Sequence, residues 1–258
     1  MITLCVLMPV FRRHRLANNA VACFLANTLP ADVCAHLIVI DDGDTFHDLG
    51  FGTHPAASHH VHLWKAPRFP TLAHKYRSAL EEVLHHFSPE IVAIFEDDDV
   101  YLPWHLGTHI EALRGKTTAW SKPSRVWTDY RNPSHWELEP SAGRFHASIA
   151  FTADVTARWK PEAGAAFDQT FMADLERECG APVDPLSLCP VPGYCFRWHS
   201  GEWHAQHWMS CGDNAWYDKA LEAAPVPPRA LLIPEFDQTT TQAIAMLQER
   251  HTYECRRS

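Results

Sequence analysis

Short apolar runs, each cut off by charged residues, constrain this chain more than any other feature. Residues 3–10 end at Pro9 and lead into Arg12, Arg13, His14 and Arg15. Residues 37–40, Leu-Ile-Val-Ile, stop at Asp41-Asp42-Gly43. Residues 61–64 make a third run, and 91–95 run straight into Glu96-Asp97-Asp98-Asp99. Runs this short, without alternating polar positions, read as strands buried on both faces. Helical spacing fills the gaps. Residues 16–29 form one candidate helix, closed by Pro30. Residues 71–87 form another, with Leu72, Tyr76, Ala79, Leu80, Val83, Leu84 and Phe87 on one stripe and Thr71 as its cap. Alternating strands and helices predict an α/β fold with a mostly parallel sheet flanked by helices. Ligands of such sheets bind beyond the carboxyl ends of the strands, which is where the basic and acidic clusters fall.

Size and charge narrow the function. The chain has 258 residues, 46% of them hydrophobic, enough for one sizeable core or a core with an added lobe. A net charge of -9 argues against nucleic acid as partner, because a phosphate backbone needs a basic face. The small basic group after the first run suits a diphosphate instead. No stretch reaches the roughly 18–20 apolar residues that span a bilayer, so membrane contact is expected to be peripheral at most. The apolar N-terminus is short and its charges follow it, which fits a buried strand better than a secretory signal. The eight cysteines are scattered without a Cys-x-x-Cys pair, as in a reduced cytoplasmic protein.

Four adjacent carboxylates repel one another, and burying them without a cation is costly. Magnesium or manganese removes that cost, prefers oxygen ligands and bridges phosphate oxygens. A solvated loop or the acidic start of a helix over residues 104–113 is the simpler alternative. The position directly after a buried strand favours the metal.

The chain resembles the inverting family 2 glycosyltransferases, which have the GT-A fold. Pro9-Val10-Phe11-Arg12-Arg13 is similar to their opening Pro-Thr-Tyr-Asn-Arg, with Arg12 in place of Asn. The segment Ile38-Val39-Ile40-Asp41-Asp42-Gly43-Asp44-Thr45 resembles Val-Asp-Asp-Gly-Ser-Thr. Phe95 to Pro103, with its Glu-Asp-Asp-Asp, resembles the Asp-x-Asp segment and its trailing proline. These motifs occur in family order over roughly the first 110 residues. With no repeat or clear linker in the chain, a single domain over 1–258 is the economical reading, with a nucleotide-sugar half at about 1–115 and an acceptor half at about 116–258. The resemblance implies a Rossmann-like sheet, a nucleotide-diphosphate sugar donor (a UDP-sugar favoured), Mn2+ or Mg2+, and a carbohydrate or other hydroxyl acceptor.

Site roles follow by the same resemblance. Pro9, Phe11 and Arg13 would line the nucleotide pocket, with Asp42, and Asp41 beside it, on the nucleobase. Lys75 matches a family lysine that reaches the nucleotide. Asp97 would sit near the ribose, and Asp98 and Asp99 would hold the metal, with the part played by Glu96 open. Asp174 matches best the base that deprotonates the acceptor, ahead of Glu176 and Asp168. His204, with His199 as its rival, would complete the metal site. Three other readings remain: a nucleotidyltransferase, a metal hydrolase built on His199, His204 and His207, and an inactive nucleotide-binding module of the same fold. The first lacks a glycine-rich loop after the first run, and the second lacks a His-Glu-x-x-His pattern.

Overall fold

A computed structural model describes residues 1–12, 14–43, 46, 58–114, 118–128 and 137–196. Its main sheet is built by β1 (Ile2–Val10), β2 (Val33–Asp41), β3 (His59–Lys65) and β4 (Ile91–Ile94), all parallel, in the order β3-β2-β1-β4. The four apolar runs are these four strands. Leu4 to Met8 of the central β1 are fully buried, so the N-terminal run is core. Full burial of each such side chain contributes about 1.5–3 kcal/mol relative to exposure.

The helices α1 (His14–Leu25) and α2 (Leu72–His86) follow β1 and β3. In α2, Leu72, Tyr76, Ala79, Leu80 and Val83 are buried, as the spacing requires. Thr71 caps it: its hydroxyl accepts from the His74 N–H at 3.3 Å, a bond worth about 1 kcal/mol. α1 stops four residues short of its expected end. Asn27 is the reason, since its amide donates to the Cys23 carbonyl at 2.8 Å and its oxygen accepts from Leu106 N–H at 2.8 Å. A side chain that satisfies backbone groups in this way competes with the next helical turn.

A short β5 (Val100–Tyr101) and α3 (His105–Leu113) come after β4. The expected strand over 120–130 divides in two. β6 (Trp120–Ser121) joins the main sheet, while β7 (Arg125–Thr128) leaves it for a second one, with Pro123 between them. Proline has no N–H for the ladder, so a break there is natural. The second sheet has the order β5-β10-β7-β8, with β8 (Glu137–Pro140) and β10 (Tyr194–Phe196). The strand expected at 145–151 shrinks to β9 (Ala150–Thr152), antiparallel to β4 and β6. Before it, Phe145 takes a left-handed φ of 62° and His146–Ser148 form a 3-10 turn. α4 (Phe167–Cys179) buries Phe167, Phe171 and Leu175. Residues 182–192 are a loop around the turn Pro185–Ser187. The helix expected at 242–250 lies outside the described residues.

The β2–β3 edge carries a pH-sensitive cluster. His36 stacks on His60 and His62, with ring centroids 4.9 and 5.2 Å away, and lies 4.9 Å from Phe87. Burial, then the neighbouring His62 and His60, push the His36 pKa down to about 4, and His62 is lowered by burial and His60. Unfolded histidine takes up its proton near pH 6.5, so between about 6.5 and 4 the unfolded state binds more protons. Stability therefore falls as pH drops through that window. His36→Phe keeps an aromatic ring in the stack and removes the larger share of the titration, leaving that of His62. Its melting temperature should fall less than that of the wild type between pH 7.5 and 5; equal falls would refute this origin of acid sensitivity.

Candidate metal centre

The acidic loop is wedged between the two sheets. Phe95 continues the β4 ladder, donating its N–H to the Leu7 carbonyl at 2.9 Å. The chain then turns, and the Tyr101 hydroxyl of β5 accepts from Glu96 N–H at 2.6 Å. Tyr194, paired with Tyr101 across β5 and β10, donates its hydroxyl to Asp99 Oδ2 at 2.5 Å. Both tyrosines thus pin the loop from the second sheet. Asp97 and Asp99 have no exposed surface, and Asp98 is 7% exposed.

Glu96, Asp98 and Asp99 each bring one carboxylate oxygen within 4.8 Å of the others. An octahedral ion with bonds of about 2.1 Å holds its oxygen ligands roughly 3.0 to 4.2 Å apart, so a small closure of this trio fits Mg2+ or Mn2+. The field of the loop is felt nearby. Burial, reinforced by the surrounding carboxylates, holds the phenols of Tyr76, Tyr101 and Tyr194 well above their ordinary pKa.

A second polar centre adjoins it at the ends of β1 and β2, where Pro9 pairs with Ile40 and Val10 with Asp41. Lys75 reaches in from α2, and its Nζ donates to the Val10 carbonyl and to Asp42 Oδ1, both at 2.6 Å. Arg68 donates to Asp42 Oδ2 at 2.9 Å and sits over the Phe11 ring, its guanidinium carbon 3.7 Å from the ring centre. Phe69 N–H gives Asp42 a third bond at 3.0 Å. Burial lowers the Lys75 pKa to about 8, against the opposing pull of Asp42 and then Asp97. Through Lys75 the pocket and the acidic loop are electrically joined. Asp41 serves its own loop instead, accepting from Gly43 N–H at 3.1 Å and Phe46 N–H at 2.9 Å.

Asp174, the candidate base, is held in two ion pairs. Lys160 Nζ and Arg177 NH1 each lie 2.5 Å from one of its oxygens, and these bonds hold its carboxyl below the usual range. A carboxylate so paired is a weak base, so the geometry favours a tie between α4 and the Lys160 segment. Arg13, His199, His204 and His207 lie outside the described residues.

Sequence reasoning did not single out Arg68, Tyr76 or His146, which the structure brings close to Asp42 or Glu96. Arg68 lies outside every motif. Tyr76 reads as helix stripe and His146 as part of a strand, so neither carried a separate signal.

No protein-family model matches the sequence, and no curated protein matches it. Solved structures do share its fold. TarS 1–349 from S. aureus in complex with UDP-GlcNAc aligns with a TM-score of 0.56 and 11% identity, over 85% of this chain and 70% of that one. A longer S. aureus TarS chain aligns at 0.54 and 12% identity, over 85% of this chain and 42% of that one. The mannosyltransferase PcManGT from Pyrobaculum calidifontis, in complex with GDP-Man and Mn2+, aligns at 0.50 and 17% identity, over 89% of this chain and 67% of that one. At such identities the likeness speaks for fold. The chain has a mixed α/β fold, a mostly parallel sheet flanked by helices, of the GT-A type found in glycosyltransferases.

Proposed function

We propose that this chain is a metal-dependent inverting glycosyltransferase of the family 2 kind, moving a hexose from a nucleotide-diphosphate donor to an acceptor hydroxyl. One observation carries the reading: three carboxylates converge beyond a buried parallel strand, beside the Lys75–Asp42 pocket. Neighbours of the same fold hold UDP-GlcNAc, or GDP-Man with Mn2+, which supports a nucleotide sugar and a divalent ion here. Glu96, Asp98 and Asp99 would hold Mn2+ or Mg2+, and the ion, when bound, would stabilise charge on the departing diphosphate. Asp97 would face the ribose. Phe11 and Arg68, with Pro9 and Arg13, would line the nucleotide pocket, and Asp42 would meet the base once Arg68 yields one oxygen. Residues 1–115 would form the donor half and 116–258 the acceptor half, with His204 contributing to the ion.

Among the described residues no helix is long and apolar enough to cross a membrane.

Calorimetric titration with UDP and GDP, each with and without Mn2+, tests the reading. Binding of one of them that requires the ion is expected. No binding of either with Mn2+ or Mg2+ would sink it and favour an inactive module. For Asp174→Asn we expect a lower melting temperature from the lost ion pairs, with turnover of the folded fraction changed less than about threefold. A base contributes about 100-fold or more, so a loss of that size at unchanged donor affinity would instead make Asp174 the base.

A further inference from the structure

His146 is 2% exposed, and its Nδ1 has no hydrogen-bond partner among the described residues. The indole N–H of Trp159 points at the other ring nitrogen, Nε2, at 2.9 Å. An indole only donates, so Nε2 accepts and the proton of the neutral ring sits on Nδ1. Glu96 Oε1 lies 3.8 Å from that Nδ1. The ring is held by its neighbours. Tyr76 meets it edge-on at 5.0 Å, Trp159 at 5.6 Å and Phe167 at 6.0 Å. Glu96 is freer, with 23% of its side chain exposed, and a shift of roughly 0.9 Å would bring it to ordinary hydrogen-bond distance. Tyr76 adds a second buried polar group, a hydroxyl without a partner among the described residues, and after burial the charge of Glu96 is the first to act on it.

We propose that His146 is a positioning residue whose Nδ1–H takes hold of the Glu96 carboxylate and presents it to a divalent cation shared with Asp98 and Asp99. The inference rests on the metal reading of the acidic loop. Carboxylate ligands are themselves oriented by hydrogen bonds from behind, and loss of such a partner costs roughly 10–100-fold in metal affinity. It gives Glu96 the third place in the trio, a role that motif matching leaves open. It also accounts for the left-handed Phe145, which starts the turn that carries the imidazole.

Asparagine and glutamine separate donor from packing. The amide nitrogen of Asn falls near the place of Nδ1, that of Gln near the place of Nε2, and both lose the ring. Mn2+ affinity is read from the free-ion resonance signal, with and without UDP, on the full chain. His146→Gln should weaken Mn2+ about tenfold or more, and His146→Asn should return to within about threefold of the wild type. In a Glu96→Gln background, His146→Gln should change nothing further. Equal losses for Asn and Gln, or a loss that persists in the Glu96→Gln background, mean packing alone and overturn the inference. Wild type that binds no Mn2+ overturns the metal reading as well, whereas wild-type binding matched by His146→Gln overturns only the inference. Should His146→Gln fail to fold, imidazole nitrogen shifts of the wild type decide. The Nδ1–H form responding to Mg2+ is expected, and the Nε2–H form overturns it.

Discussion

Asp98→Asn should raise the melting temperature of the metal-free protein and abolish its response to Mn2+ and nucleotide. The two effects have one cause. Glu96, Asp98 and Asp99 crowd their oxygens within 4.8 Å, and Asp99 is fully buried. Without a cation these like charges oppose folding, so neutralising one relieves repulsion. On the proposed reading the same carboxylate becomes a ligand once a cation binds, and its loss should exceed the roughly 10–100-fold cost of losing a mere outer partner. Wild type at a ligand concentration of 100 Kd gains about 2.7 kcal/mol, or roughly 5–10 °C in a chain of this size. The variant should gain almost none. Transfer activity should fall by about a thousandfold or more, because several kcal/mol of charge stabilisation leave with the ion. Scanning fluorimetry with and without Mn2+ and UDP checks both signs. A metal-free variant no more stable than wild type, still shifted by Mn2+, would reduce the loop to a surface acidic turn.

The parts of the molecule visible in the sequence are those fixed by local pattern. Residues 91–95 announce a buried strand because nothing polar interrupts them, and Glu96 to Asp99 announce its end. The Asp41-Asp42 pair was equally visible, but its division of labour was not. Adjacent residues on a strand end face opposite ways. Here that separates a carboxylate that closes its own loop, Asp41, from one that binds Lys75 and Arg68. Arg68 lies outside any motif and reaches Asp42 through the β2–β3 pairing and the turn into α2. Phe145 and His146 look like strand residues, and only a left-handed φ at a phenylalanine, paid for by packing, makes them otherwise. Asp174 shows the same limit from the other side. Its position beside an apolar stripe was legible, whereas Lys160 and Arg177 closing on it depend on how α4 meets the preceding segment.

Lys75→Met should be the most destabilising single change in the pocket around Asp42. Lys75 is 2% exposed, and its amine spans the Val10 carbonyl and Asp42. Breaking a buried pair from one side strands the other charge, at about 3–5 kcal/mol. Arg68 and Phe69 N–H still serve Asp42, and the burial that lowers the Lys75 pKa already offsets part of the pair, which places the expected loss at or below the lower end, about 1–3 kcal/mol, or roughly 2–12 °C. Adding Asp42→Asn to Lys75→Met should restore part of that loss, because a neutral amide needs no cation. Alkaline pH gives a second handle. The folded lysine releases its proton near pH 8 and the unfolded one near 10.5, so the unfolded state binds more protons between them. Wild-type stability should therefore rise relative to Lys75→Met as pH climbs from about 8 to 10.5. Urea titrations of the wild type, the single variant and the double variant at pH 7.5 and 9.5 measure all three terms. A cost below about 1 kcal/mol, or no rescue by Asp42→Asn, would show that Arg68 alone carries Asp42 and that Lys75 is free to serve a ligand.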